Sequence, residues 1–191
     1  MAHPIGVSQS MPTTMEFDAM KRIFAKALML SAVSLMAGNV AQAADPKAIG
    51  EFGDWIAYVY TEGGNKVCYM AGKPQKEEGN YTKRGAVYAL ITHRPADKSK
   101  NVFSFVAGYP YKQNSEVTVS IGSQRFKLFT ESETAWAPDS ATDNKLIAAI
   151  RSGSQMVVNG TSSQGTATTD TFDLKGSTAA YTAISRECGI K

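Results

Sequence analysis

Few residues in this chain could do chemistry. Its 191 residues include two cysteines, Cys68 and Cys188, and two histidines, His3 and His93. A nucleophilic triad needs an imidazole base, and only His93 serves once the leader described below is removed. It stands in His93-Arg-Pro at the end of an apolar run, where a solvent-facing loop residue is expected. Gly160-Thr-Ser-Ser-Gln-Gly165 departs from the Gly-x-Ser-x-Gly elbow and falls between strands rather than before a helix. No glycine-rich loop leads into a helix with a Lys-Ser/Thr pair, so a nucleotide phosphate cradle is not read. Two carboxylate pairs could form, Asp170 with Asp173 and Asp139 with Asp143. The first pair points to opposite faces of a strand and Asp143 is committed to a helix start, which leaves glycosidase chemistry without support. Two cysteines cannot by themselves make a four-ligand zinc site, and the supply of histidine ligands is almost empty. The expectation is no catalytic residue, no metal and no cofactor.

Binding features are more evident than reactive ones. Lys83, Arg84, His93, Arg94, Lys98, Lys100, Arg125 and Lys127 are the densest cationic positions, several at strand ends. They read as a basic rim for anionic lipid headgroups or polysaccharide, or as an ordinary solvated surface with carboxylates interspersed. Tyr58, Tyr60, Tyr69, Tyr81, Tyr88, Tyr109 and Tyr111 supply rings for recognition or for strand packing. Trp55 and Trp136 read as core plugs. A net charge of +3 is too small for a nucleic-acid binder.

The elements that must position these residues begin after a leader. Lys21-Arg22 and Lys26 precede the apolar run Ala27–Ala37, and Ala41-Gln-Ala43 follows. This is the pattern of a signal peptide, about 20–43, cut before Ala44. The run falls short of the ~20 apolar residues of a membrane span, so the mature protein is expected to carry no transmembrane span. Residues 1–19 fit no part of a signal peptide and read as a start-site extension before Met20; Met11 and Met15 are further candidate starts. The mature chain, 44–191, is expected to fold as a single domain in the periplasm or cell envelope. In that oxidising setting two cysteines with no competitor pair with each other.

Short strands dominate the mature segment. Trp55–Thr61 and Lys66–Ala71 form a hairpin through Glu62-Gly-Gly-Asn65, and Gly72–Lys83 reads as a polar loop. Ala86–Thr92 and Val102–Ala107 lack clean alternation, as strands covered on both faces do. Glu116–Ile121 and Gln124–Thr130 alternate well. Met156–Val158 and Thr166–Leu174 make a last pair, with Ser162–Gly165 the preferred turn over Asn159-Gly160. Helical spacing appears twice. In Ser140–Ser152, Leu146, Ile147 and Ile150 share a face, with Ser140 and Asp143 resembling a capping box and Gly153 a stop. In Ser177–Glu187, Ala180, Tyr181, Ile184 and Cys188 share a face, with Ser177 as cap and Gly189 as stop. That face presents Cys188 toward Cys68. The reading is mainly β: an antiparallel sandwich or flattened barrel of about eight strands, with one inserted and one C-terminal helix.

Phe52-Gly-Asp-Trp55, Lys66-Val-Cys-Tyr-Met70, the block from Met156 through Cys188 and the terminal helix ending at a lone cysteine resemble the invasion-associated locus B family of alpha-proteobacteria. The resemblance implies an exported, envelope-associated β-sandwich, named for a member linked to host-cell invasion and without an established catalytic activity. Relatives carry an extra cysteine soon after the tryptophan; Ala57–Tyr60 has none. The function expected is surface binding or a structural role in the envelope, with an envelope or host protein or an anionic envelope polymer as partner and no nucleic acid. The alternatives are an envelope-polymer hydrolase or an accessory protein docking another envelope protein.

Overall fold

The computed structural model describes residues 45–191; the expected leader, about 20–43, its cleavage point and the 1–19 extension lie outside the described residues. The order is β1 (Lys47–Phe52), β2 (Trp55–Glu62), β3 (Asn65–Gly72), β4 (Lys76–Gly79), β5 (Tyr88–Arg94), β6 (Ser99–Val106), β7 (Glu116–Ile121), β8 (Gln124–Glu131), β9 (Thr134–Trp136), α1 (Ser140–Ser152), β10 (Gln155–Thr161), β11 (Ala167–Asp173) and α2 (Ser177–Glu187). All eleven strands belong to one antiparallel sheet ordered β1-β2-β3-β5-β6-β9-β8-β7-β10-β11-β4. Eleven strands among the described residues replace the expected eight or so. The sheet is not a closed barrel: among the described residues its hydrogen bonding runs continuously from β1 to β4, which are its free edges. The sheet curls far enough for Phe105 of β6 to meet Phe172 of β11 edge-to-face, ring centroids 6.1 Å apart. The Trp55 Nε1–H on β2 likewise donates to the Asp173 carbonyl at 2.9 Å.

Alternation explains which face is inside. Val117, Val119 and Ile121 on β7, Phe126 and Leu128 on β8, and Met156 and Val158 on β10 are all buried. Both helices then cover apolar surface that the sheet alone would leave open. Leu146, Ile147 and Ile150 of α1 are buried, and Ala180 and Ile184 of α2 join them, as helical spacing requires. α1 packs on β6 and β8, α2 packs on β1, β2 and β3, and the helices touch each other.

The helix caps differ from expectation. Asp139 caps α1, its carboxylate accepting from the Thr142 N–H at 2.7 Å. Asp143 instead turns inward and accepts the Phe103 N–H at 2.9 Å, so a carboxylate read as a cap holds the helix to β6. Gly176, rather than Ser177, is the N-cap of α2; Ser177 is buried and donates to the Ile150 carbonyl at 3.1 Å.

Candidate binding cleft

Between β4 and β5 the chain leaves one edge of the sheet and returns to its interior. β4 pairs with β11, whereas β5 pairs with β3. The connecting residues cross the chain between β6 and β7 at Gly85 and Gly108, where the Gly85 N–H donates to the Gly108 carbonyl at 2.8 Å. Gly108 has φ +71°, and a Cβ there would collide with the Gly85 carbonyl, so the crossing requires glycine. The turn from β10 to β11 completes a cleft of about 510 Å³. Its Ser162–Gly165 bond, 2.8 Å from the Gly165 N–H, is the turn preferred from the sequence.

Arg84 organises this cleft from below. Its side chain is only 3% exposed and that of Asp170 only 1%. The two Arg84 terminal nitrogens donate to the two Asp170 oxygens at 2.6 and 2.8 Å, while Nε–H donates to the Ala107 carbonyl at 2.7 Å. The rings of Tyr81 and Tyr109 flank the guanidinium, centroids 5.4 and 5.0 Å from Cζ. Burial works against the Arg84 charge, but hydrogen bonding and attraction from Asp170 more than offset it and hold its pKa above the ordinary arginine value. Burial raises Asp170 and the Arg84 hydrogen bonds pull it back. The Tyr109 hydroxyl shares a 2.5 Å hydrogen bond with the Thr168 hydroxyl, and burial raises the phenol's pKa. Beside it Tyr111, ring centroids 5.3 Å away, buries a hydroxyl with no hydrogen-bond partner among the described residues.

Of the eight cations read as a basic rim, two are not on the surface. Arg84 is consumed by Asp170. His93 is fully buried on β5, because that strand runs on to Arg94 and its inward parity falls on Ala89, Ile91 and His93. Arg94 pairs with Glu62, and Lys127 with Glu116 at 2.9 Å. Lys83, Lys98, Lys100 and Arg125 remain exposed and without an ion pair among the described residues. The sequence pattern thus finds two members of the cleft, Lys83 and Arg84, but assigns Arg84 a role in solvent.

His93 has no carboxylate hydrogen-bond partner among the described residues. Its Nδ1 accepts the Asn101 N–H at 3.1 Å, which puts the proton on Nε2, 3.2 Å from the Ser185 hydroxyl on α2. Tyr181 lies edge-on at 5.5 Å. Burial first, and the charge of Lys100, push the imidazole pKa down from 6.5 to about 4. The unfolded chain therefore takes up this proton at higher pH than the folded one. Stability from the neutral ring is complete above pH 6.5, declines as pH falls through 6.5 to about 4, and levels off below. The whole shift is worth about 3 kcal/mol. His93→Gln is expected to remove that slope, so urea midpoints of the parent and variant should converge from pH 7 to pH 4. A gap that stays constant with pH would refute the buried neutral imidazole.

Cys68 and Cys188 form a disulfide, Cα atoms 6.0 Å apart, joining β3 to the end of α2. The same junction carries a Lys66 to Glu187 ion pair at 2.8 Å. On the outward face of β2 and β3, Tyr58 stacks on Tyr69 at 4.9 Å and Tyr60 meets Tyr69 edge-on. A smaller hollow of about 280 Å³ opens beside them between Tyr58 and Tyr88. Trp55 is the core plug expected, whereas Trp136 is half-buried and pairs in register with Phe129, which is 47% exposed. Among the described residues no cluster of three or more metal-ligating side chains occurs, and no helix is long and apolar enough to cross a membrane.

Residues 55–185 match the family described as invasion associated locus B (IalB) protein. The chain belongs to the IalB family. A crystal structure of invasion associated protein b from Bartonella henselae is similar to this IalB-family chain, with a TM-score of 0.50 and 18% sequence identity over 72% of this chain and 95% of that one. At that identity the likeness is one of fold. No curated protein matches the chain. The IalB match takes in Cys68, His93, Arg84 and Asp170, and so spans the whole cleft; Cys188 lies just beyond it.

Proposed function

We propose that this IalB-family chain is an exported protein of the cell envelope that acts by binding at a surface, with the cleft above Arg84 as the binding place. The leader pattern and a disulfide closed between the only two cysteines support an oxidising compartment outside the cytosol. The observation that carries the binding role is the buried Arg84–Asp170 pair beneath an open cleft whose lining is about equally polar and apolar. The pair fixes two tyrosine rings in place before any ligand arrives, and preorganised walls lower the ordering cost of binding. Its size lies within the range of ligand clefts, about 300–1,000 Å³. The carboxylate beneath the cleft is held by two arginine nitrogens, which suits it to positioning rather than proton transfer.

Photo-crosslinking in intact cells tests this. A crosslinking side chain at Gln164, on the exposed cleft rim, is expected to give a discrete adduct, whereas one at Lys145, exposed on α1, gives none. Equal labelling at both positions, or none at Gln164, would overturn the cleft as the binding place. The Bartonella relative's name, invasion associated protein b, makes a host component one of the adducts to look for.

A further inference from the structure

The geometry points to a carbohydrate as the occupant of this cleft: a hydroxyl-rich oligosaccharide segment, uncharged along most of its length. This rests on the cleft being a binding place and adds the chemical class of its ligand. Charge is the first argument. The cleft is lined by two cations, Lys83 and Arg84, and Arg84 is neutralised by Asp170 with Glu77 a further 3.8 Å from it. Among the described residues, a phosphate-rich or polyanionic ligand would find a single free cation there, Lys83.

The remaining lining is of the kind that reads sugars. Asn80, Thr82, Ser163, Gln164 and Thr166 offer short neutral donors and acceptors, groups that can both give and take hydrogen bonds from vicinal hydroxyls. Tyr81 and Tyr109 line the same cleft and supply apolar ring surface next to polar tips. A sugar needs that combination, because its ring carbons present C–H faces and its edge presents hydroxyls. Arg84 has five N–H donors, of which three go to Asp170 and Ala107. Arg84 itself is almost wholly covered and serves the cleft through the Tyr81 and Tyr109 rings packed on it. Polar side chains at the rim sit on a short turn between paired strands, which limits the entropy lost on binding.

Three neutral soluble probes test the class: cellotetraose, maltotetraose and chitotetraose, titrated into the full-length mature protein and followed by amide chemical shifts and tyrosine fluorescence. At least one is expected to bind below millimolar Kd with shifts centred on residues 80–85 and 162–168. Gln164→Ala and Ser163→Ala change exposed turn residues and leave the fold intact; together they should weaken binding about tenfold. Tyr109→Phe keeps the ring and should weaken it less, while Tyr58→Ala on the outward face of β2 should leave Kd unchanged. No binding by any of the three at 10 mM, tighter binding of the polyanion tetragalacturonate than of all three, or binding that the turn variants leave untouched, overturns the carbohydrate assignment. A polypeptide adduct from the Gln164 crosslinker also overturns it, while leaving the cleft standing as a binding place.

Discussion

Replacing Cys68 and Cys188 together by alanine is expected to lower the unfolding temperature by about 10 °C while the far-ultraviolet spectrum keeps its β character. The bond closes a loop over a sequence separation of 120 residues. On the chain-entropy account a loop of that length is worth about 4–5 kcal/mol, of which roughly 2–4 is usually realised. For a domain of this size each kcal/mol moves the midpoint by about 2–4 °C. The fold itself should survive because α2 has other anchors. Ala180 and Ile184 are fully buried, and Ser177 and Thr178 donate to the last carbonyls of α1 at 3.1 and 2.7 Å. Calorimetry of the oxidised parent against the double variant makes the comparison, with the reduced parent as a control. A fall of less than 2 °C, or collapse of the β signal, would show that the bridge is either redundant or indispensable to folding.

A second large effect is expected at the floor of the cleft. Asp170→Ala leaves the Arg84 guanidinium buried with its principal partner gone, and breaking a buried pair from one side costs about 3–5 kcal/mol. Glu77, 3.8 Å away and partly exposed, is poorly placed to take over. Arg84→Met removes the charge, strands Asp170 in turn and costs a similar amount. The double variant Arg84→Met with Asp170→Leu should recover most of the loss, because two apolar side chains of comparable size carry no desolvation penalty. A urea double-mutant cycle reads the coupling directly. Single variants costing under 1 kcal/mol, or a double variant as poor as the sum of the singles, would show that the pair is not a coupled unit. The double variant serves a further purpose: it keeps the fold while removing what fixes Tyr81 and Tyr109, so ligand binding should weaken even where stability recovers.

Where side chains announce their face, the sequence reading and the structure agree. β7 lies at Glu116–Ile121 as expected, since Val117, Val119 and Ile121 alternate with Thr118 and Ser120. Both helices have the expected limits, because three to four apolar residues at helical spacing leave little freedom. β4 shows the opposite case. Lys-Glu-Glu-Gly has no apolar face, all four residues are exposed, and the strand exists through backbone pairing with β11. β1 is interrupted by a register shift between Ala48 and Gly50, and β9 has three residues, so neither carries a usable period. For His93 the sequence misleads: Pro95 signals an early loop, whereas β5 continues to Arg94 and a short 3₁₀ turn follows. The cleft was legible only as unconnected parts. Arg84 and Asp170 stand 86 positions apart, and no local pattern relates a basic loop residue to an acid on a distant strand.

The indole bond from Trp55 to Asp173 bridges 118 positions of sequence. A tryptophan near the front of the domain thus finds its polar partner only when the closing strand has been synthesised. Contacts of such long range defer folding, typically to roughly milliseconds to seconds. The seam between the two ends of the sheet therefore cannot close before residue 173 has been made, whatever the hairpins between sequence neighbours have already formed.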